Sequence, residues 1–278
     1  MTTPILVLGG TGKVGRRVVS RLRARRTPVR VPTRVGSTPF DWTDDTTWTP
    51  VLDGVGSVFV VPLDGRQLTG PFLARARELG VRRVVLLSGR GVDVPGYGPP
   101  DSPLAATPSS GEAALRALDV EWTILRPAWF AQNFSEGFFR DAVGAGELRL
   151  PAGDGAASFV DADDIADVAV AALTGPGHAG RTYELSGPEA LTMAEAAATI
   201  FAATGRRLRY VALSPQEFTA ELTASGWSEA DAEDYATVIA LIRDGLDSHL
   251  SDGVHQALGR PPRDFATFAA AATWPDGR

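Results

Sequence analysis

The stretch ILVLGGTGKVGRRVV, residues 5–19, decides the fold. Ile5 to Leu8 is a short apolar run closed by glycines, the pattern of a strand buried on both faces. Val14, Val18 and Leu22 then recur at the spacing of one helical face. Between the two stand Gly9, Gly12 and Gly15, spaced G-x-x-G-x-x-G. A helix that starts at such a turn points unpaired N–H groups outward and forms an anion site. Gly9 permits the tight turn, Gly12 lets the backbone approach a pyrophosphate, and Gly15 lets the helix pack closely on the strand. A strand before and a helix after make a dinucleotide diphosphate the expected occupant. It is expected to rest on Thr11, Gly12, Lys13 and Val14.

Working outward, strand and helix signals alternate. Short strands are expected at Val29–Val31, Val58–Val61, Val84–Leu87 and Trp122–Leu125. Leu68, Phe72, Ala76 and Leu79 form a second helical stripe, and Ala113–Leu118 reads as a helix. The Pro-, Gly- and Ser-rich segment Arg90–Ser109 reads as an exposed loop. Alternation of this kind implies crossover units and a parallel sheet. The second half is less regular. Asp161–Leu173 reads as a helix, Tyr183–Leu185 and Arg207–Leu213 as strands, and Ser228–Leu246 and Asp264–Thr273 as helices. Thr192 with Glu195, and Ser214 with Glu217 behind Pro215, form capping boxes that open two more helices. The expected class is α/β: a doubly wound Rossmann sheet with a smaller C-terminal α/β substrate lobe. We expect a dinucleotide-binding domain over 1–155. Residues 156–278 are expected to complete the sheet and form the lobe, closing over the ligand cleft.

Composition excludes several chemistries. The chain has 278 residues, no cysteine and a net charge of -6. Disulfides and thiolate sites are absent, and no general attraction to nucleic acid or anionic membrane is expected. The arginines Arg16, Arg17, Arg21, Arg23, Arg25 and Arg26 read as a solvated helix face. No metal site is expected from His178, His249 and His255. Asp161, Asp163 and Asp164 are better explained by a helix N-terminus than by a metal. The start, MTTPILVLGG, lacks the pattern of a secretory signal, and no apolar run approaches a membrane span, so a cytoplasmic location is expected.

The end of the second strand chooses the dinucleotide. NAD sites usually place a carboxylate there, whereas this strand ends VRVPTR without one. Thr33, Arg34 and Ser37 are polar, and Arg34 is suited to a 2′-phosphate. NADP(H) is therefore expected over NAD(H). Ligands of open α/β sheets sit outside the carboxyl ends of the strands. That rule assigns Val61, Pro62 and Leu63 to the adenosine side, Ser88 and Gly89 to the nicotinamide ribose, and Pro127 to the nicotinamide ring. Trp129, Phe130, Asn133 and Phe134 follow as an apolar substrate wall, with Trp227 and Tyr235 as further contacts.

The turn Gly9–Gly15, the strand VRRVVLLS (81–88) and the segment VEWTILRPAWFAQNF (120–134) resemble the NmrA-like atypical short-chain dehydrogenase/reductases over nearly the whole chain. More narrowly, FDWTDDTTW (40–48), VFVVPLDG (58–65) and FVDADDIADVAVAAL (159–173) resemble the ergot-alkaloid-type reductases, such as festuclavine and agroclavine dehydrogenases. The wider superfamily uses a Tyr-x-x-x-Lys pair to protonate a substrate carbonyl. The matching position falls near Pro108 and Glu112, in TPSSGEAAL, where the pair is absent, and the chain's single lysine is Lys13. The resemblance therefore implies hydride transfer that needs no proton relay. An iminium ion fits that description, and a quinone or enone can take its proton from water. It also implies that Ser88 bonds the substrate, with Tyr97 and Ser109 as further donors from the neighbouring loop. The expected function is an NADPH-dependent oxidoreductase acting on a small hydrophobic imine, iminium, quinone or enone, in secondary metabolism, as a monomer or homodimer. The alternatives are a non-catalytic NADP(H)-binding redox sensor and a non-redox cyclase or isomerase.

Overall fold

The computed structural model describes residues 3–94, 97 and 103–275. In chain order its elements begin β1 (Ile5–Val7), α1 (Lys13–Ala24), β2 (Val29–Arg30), a 3₁₀ turn (Asp45–Thr47), α2 (Trp48–Leu52), β3 (Ser57–Val60) and α3 (Thr69–Glu78). Next come β4 (Arg83–Leu87), α4 (Pro103–Arg116), β5 (Glu121–Pro127), α5 (Asn133–Glu136), α6 (Arg140–Ala145), β6 (Glu147–Leu150) and β7 (Ala156–Ala157). The chain continues through α7 (Ala162–Thr174), β8 (Arg181–Leu185), β9 (Leu191–Thr192), α8 (Met193–Thr204) and β10 (Arg209–Ala212). It ends with α9 (Pro215–Ala224), α10 (Glu229–Arg243), α11 (Gly253–Leu258) and α12 (Phe265–Ala271).

Two compact units divide these elements. The first holds Met1–Pro127, Ala162–Leu185 and Asp252–Arg260, and the second holds Ala128–Asp161, Ser186–Ser251 and Pro261–Arg278. The first is built on a six-stranded sheet in the order β2-β1-β3-β4-β5-β8, parallel throughout. Its inner strands β1, β3 and β4 carry buried apolar runs on both faces because helices cover both. Leu6, Val58, Val60, Val84, Leu86 and Ile124 face a core with Phe40, Trp48, Phe72, Leu73 and Leu115. The opposite face is met by α7, which also packs on α1 and α11. This is the doubly wound Rossmann arrangement. In the second unit β6 pairs in parallel with β10, and β7 pairs antiparallel with β9. Phe134, Phe139, Phe159, Ile239, Ile242 and Phe265 fill the core beneath them.

The expected loop Arg90–Ser109 needs correction. Its second part belongs to α4, which runs from Pro103 and absorbs the helix read at Ala113–Leu118. Pro103 opens the helix, where a missing N–H costs nothing. Pro108 lies inside it. The hydroxyls of Ser109 and Ser110 beside it donate to the carbonyls of Ala106 and Thr107, at 3.3 and 3.2 Å. Residues 95, 96 and 98–102 of the expected loop lie outside the described residues. Among the described residues, no helix is long and apolar enough to cross a membrane.

Candidate active site

The glycine turn leaves β1 where the sheet order reverses, with β2 on one side of β1 and β3 on the other. Such a switch point opens the crevice that receives ligands. Gly9 has φ +65°, a left-handed conformation that side chains resist. A Cβ on Gly15 would stand 2.1 Å from the Gly9 carbonyl oxygen, so helix and turn meet there in a contact that only glycine allows. At Gly12 a Cβ would meet only that same oxygen, at 3.3 Å, and would otherwise project into open space. α1 starts at Gly12 with no side-chain cap and no acidic residue in its first turn. The positive end of the helix therefore opens without an anionic side chain of its own first turn, which fits a diphosphate. Thr11 is exposed and Lys13 half-buried, whereas Val14 turns its side chain into the core and offers only backbone. Burial, then the charge of Arg16, lowers the Lys13 ammonium from its ordinary range.

After β2, Arg34 and Ser37 are exposed and Thr33 is half-buried, its hydroxyl donating to the Val35 carbonyl. Hydrogen bonds from Thr43 hold the Asp41 carboxyl low, and the charge of Arg34 adds to the effect. After β3, Val61 and Pro62 are half-exposed and Leu63 is exposed. Val61 lies against the turn, since a Cβ on Gly9 would meet its Cβ at 3.0 Å.

The ends of β4 and β5 carry a group that the sequence reading passed over. Ser88 and Gly89 follow β4 and are half-exposed, and Pro127 ends β5 and is buried. Ser88 Oγ donates to Glu112 Oε1 at 2.6 Å. Arg126 clamps the same carboxylate through Nε at 2.9 Å and Nη2 at 2.8 Å, and its Nη1 reaches Asp93 at 2.7 Å. Arg116 adds a bond to Glu112 Oε2 at 3.1 Å. Both members of the central pair are buried, with side chains 3% and 7% exposed. Burial pushes the Glu112 carboxyl up, but the bonds from Arg126 and Ser88 outweigh it and hold it below the carboxylate range. The Glu112 bonds raise Arg126 further. The signal in the sequence was a carboxylate where the superfamily keeps lysine, with an arginine in the adjacent strand. Of the other expected donors, Ser109 sits on α4 with its hydroxyl turned to Ala106 rather than on a loop. Tyr97 packs on Gly91, where a Cβ would meet its ring at 2.0 Å.

The expected substrate residues all lie in the second unit. Trp129 and Phe130 are half-exposed. Trp129 stacks on Phe139 and donates from Nε1 to the buried Asp247 at 2.8 Å. Trp227 is 43% exposed and stacks on Tyr235. Phe134 must be corrected: it is fully buried among Phe139, Phe159 and Phe265, so it supports the wall from within the core. Asn133 is likewise buried at 5% exposure.

The arginine face of α1 is also more than a solvated surface. Arg17 and Arg21 pair with Asp163, and Arg21 also pairs with Asp167 on α7. Asp164 is fully buried against Arg260, and Asp161 accepts from Gln132 at 2.7 Å. Among the described residues no cluster has the makings of a metal site. His178 instead shares a hydrogen bond with Tyr183 at 2.9 Å.

Comparison with known proteins supplies the family. Residues 9–176 match the family model described as NAD(P)H-binding. The chain is 35% identical over 285 residues to the NAD(P)H azoreductase of Xenophilus azovorans, covering 96% of this chain and 97% of the relative. It is 32% identical to the agroclavine dehydrogenase of Claviceps fusiformis, covering 96% of each. The crystal structure of the Citrobacter sp. triphenylmethane reductase complexed with NADP(H) superposes with a TM-score of 0.81 at 22% identity, over 97% of this chain and 100% of that one.

Proposed function

The chain belongs to the NAD(P)H-binding family of atypical short-chain dehydrogenase/reductases related to the ergot-alkaloid reductases and is an NAD(P)H-dependent oxidoreductase; from that premise we propose that it uses NADPH to reduce a small hydrophobic imine, iminium, quinone or enone. The observation that carries this reading is the first-unit edge where Ser88 stands with Glu112 and Arg126, and Pro108 replaces the proton-donating tyrosine. Without that tyrosine, reduction suits substrates that are already cationic or that take a proton from water.

When bound, the nicotinamide supplies hydride. The Gly12 N–H donates to the Gly9 carbonyl at 2.9 Å within the turn, so Gly12 serves the diphosphate by leaving the approach open, and the backbone N–H groups of Lys13 and Val14, with the Lys13 ammonium, are assigned to it. Gly9 and Gly15 hold the turn in shape and Thr11 joins the diphosphate contacts, while Thr33 and Arg34 are assigned to the ribose and its 2′-phosphate. Val61, Pro62 and Leu63 take the adenosine side, Gly89 and Pro127 the nicotinamide side, and Ser88 is assigned to the substrate. Substrate contact is assigned to Trp129, Phe130 and Trp227. A flat apolar molecule is supported by those rings and by the names of two relatives, an azoreductase and an agroclavine dehydrogenase.

The test is a panel of iminium salts, quinones and enones offered with NADPH, followed by loss of the nicotinamide absorbance. Turnover of at least one class is expected. Tight NADPH binding with no turnover across the panel would defeat the proposal. Titrating NADP against NAD, with wild type and Arg34→Ala, checks the cofactor. Wild type is expected to prefer NADP, and the variant to lose roughly ten-fold or more in NADP affinity only.

A further inference from the structure

The hydroxyl at the end of β4 has its hydrogen-bonding direction fixed by its neighbours. Glu112 is buried and takes Arg126 on both oxygens, with Arg116 as a further cation. A carboxylate so surrounded is ionised, and an ionised carboxylate only accepts. Ser88 Oγ, 2.6 Å from Glu112 Oε1, must therefore donate its single proton there. What remains on Ser88 is lone pairs.

We propose that the Glu112–Arg126 pair makes Ser88 an obligate hydrogen-bond acceptor, which selects substrates whose reducible group carries an N–H donor over those presenting a carbonyl oxygen. This rests on the reductase reading above. Ser88 stands at the carboxyl end of its strand, the edge where doubly wound sheets hold ligands. A carbonyl oxygen brought to it would meet lone pairs facing lone pairs. An iminium N–H would find an acceptor strengthened by the carboxylate behind it. Pro108 has no donor to offer a carbonyl, and Glu112 carries the charge opposite to the lysine expected there. The chemistry balances without a relay. Hydride adds to the carbon of the C=N–H⁺ group, the π pair moves to nitrogen, and a neutral amine results with no proton taken up. Ser88 accepts the same N–H before and after. Glu112 and Arg126 act only through Ser88, as positioning residues.

The experiment compares two iminium ions that accept hydride at the same carbon: 3,4-dihydroisoquinolinium, which carries N–H, and its N-methyl analogue, which does not. Wild type, Ser88→Ala and Ser88→Thr are assayed with NADPH. Calorimetric binding of both cations provides a second readout that needs no turnover. Wild type is expected to favour the N–H cation, in kcat/KM and in affinity, by roughly ten-fold or more. Ser88→Ala should abolish that preference by weakening the N–H cation alone, and Ser88→Thr should restore it. The KM for NADPH should not move. Equal losses for both cations, or a raised KM for NADPH, would overturn the inference by assigning Ser88 to the cofactor. Turnover of quinones but of neither cation, without preferential binding of the N–H cation, would also overturn it and leave the reductase reading intact. Failure on every class, with no preference in binding, would overturn both.

Discussion

At the scale of single residues, two glycines three positions apart make opposite demands. Gly15 is required by the fold, since any Cβ there runs into the Gly9 carbonyl at 2.1 Å. Gly12 is not required by the fold in that way, since a Cβ there meets only one protein atom, at 3.3 Å, and the proposed diphosphate site gives it its role instead. Gly12→Ala should therefore keep a melting temperature near wild type and lose NADPH affinity. Gly15→Ala should lose both, with a destabilisation of about 1–3 kcal/mol for an overpacked contact. Thermal melts and calorimetric titration of both variants separate the cases. Parallel behaviour of the two would refute this division of roles. Glu112 teaches a related lesson. It was visible in the sequence as a missing lysine, but its buried pairing with Arg126 requires two segments to be brought together, which no local pattern encodes.

At the scale of elements, the parts legible in the sequence are those whose signal is local. The capping boxes at Thr192 and Ser214 are formed as their spacing implies, each hydroxyl accepting from the N–H of the glutamate three residues on. Thr192→Ala should cost about 1 kcal/mol, read as a lowered urea midpoint with unchanged slope. No loss there would mean that α8 is held by its packing alone. The strands of the parallel sheet were legible because burial on both faces leaves unbroken apolar runs. β6 and β7 were not, because four and two residues give no periodicity to count. The first half of α4 was hidden because Pro, Gly and Ser argue for a loop, and tertiary packing of Leu115 and Gly111 beneath α3 overrides that propensity. The α1–α7 contact was half legible. The arginines and the aspartates were each noted, but their pairing follows from the sheet placing both helices on one face. Arg21→Ala removes one of two arginines from each of Asp163 and Asp167, leaving Arg17 and Arg260 on them, and should cost about 1–2 kcal/mol, more than an exposed pair would. The same melts would reveal it.

At the scale of the whole molecule, the buried and half-buried ion pairs set how folding responds to acid. In the folded chain Glu112 titrates below its ordinary 4.5 and Asp163 below its ordinary 3.8. In both, burial works the other way and arginine bonds prevail. A depressed folded value means that the unfolded chain takes up protons first as pH falls. The stability these groups contribute is thus complete above the unfolded values and is lost as pH falls through the folded ones. His178 acts in the same sense at higher pH. Burial, then the charges of Arg83 and Arg181, lowers its folded value below 6.5, so unfolding is favoured once the unfolded imidazole begins to charge. Stability measured by urea midpoint should therefore be level near neutrality, decline gently below about pH 6.5 and fall steeply below about pH 4.5. His178→Gln should remove the gentle decline and leave the steep one. Glu112→Gln takes the buried carboxylate from Arg126, which keeps Asp93, and should lower stability at neutral pH by about 2–3 kcal/mol. It should also shrink the drop below pH 4.5, because the group whose protonation drove it is gone. A Glu112→Gln curve that runs parallel to wild type through the acid range would show that this carboxylate does not govern acid unfolding.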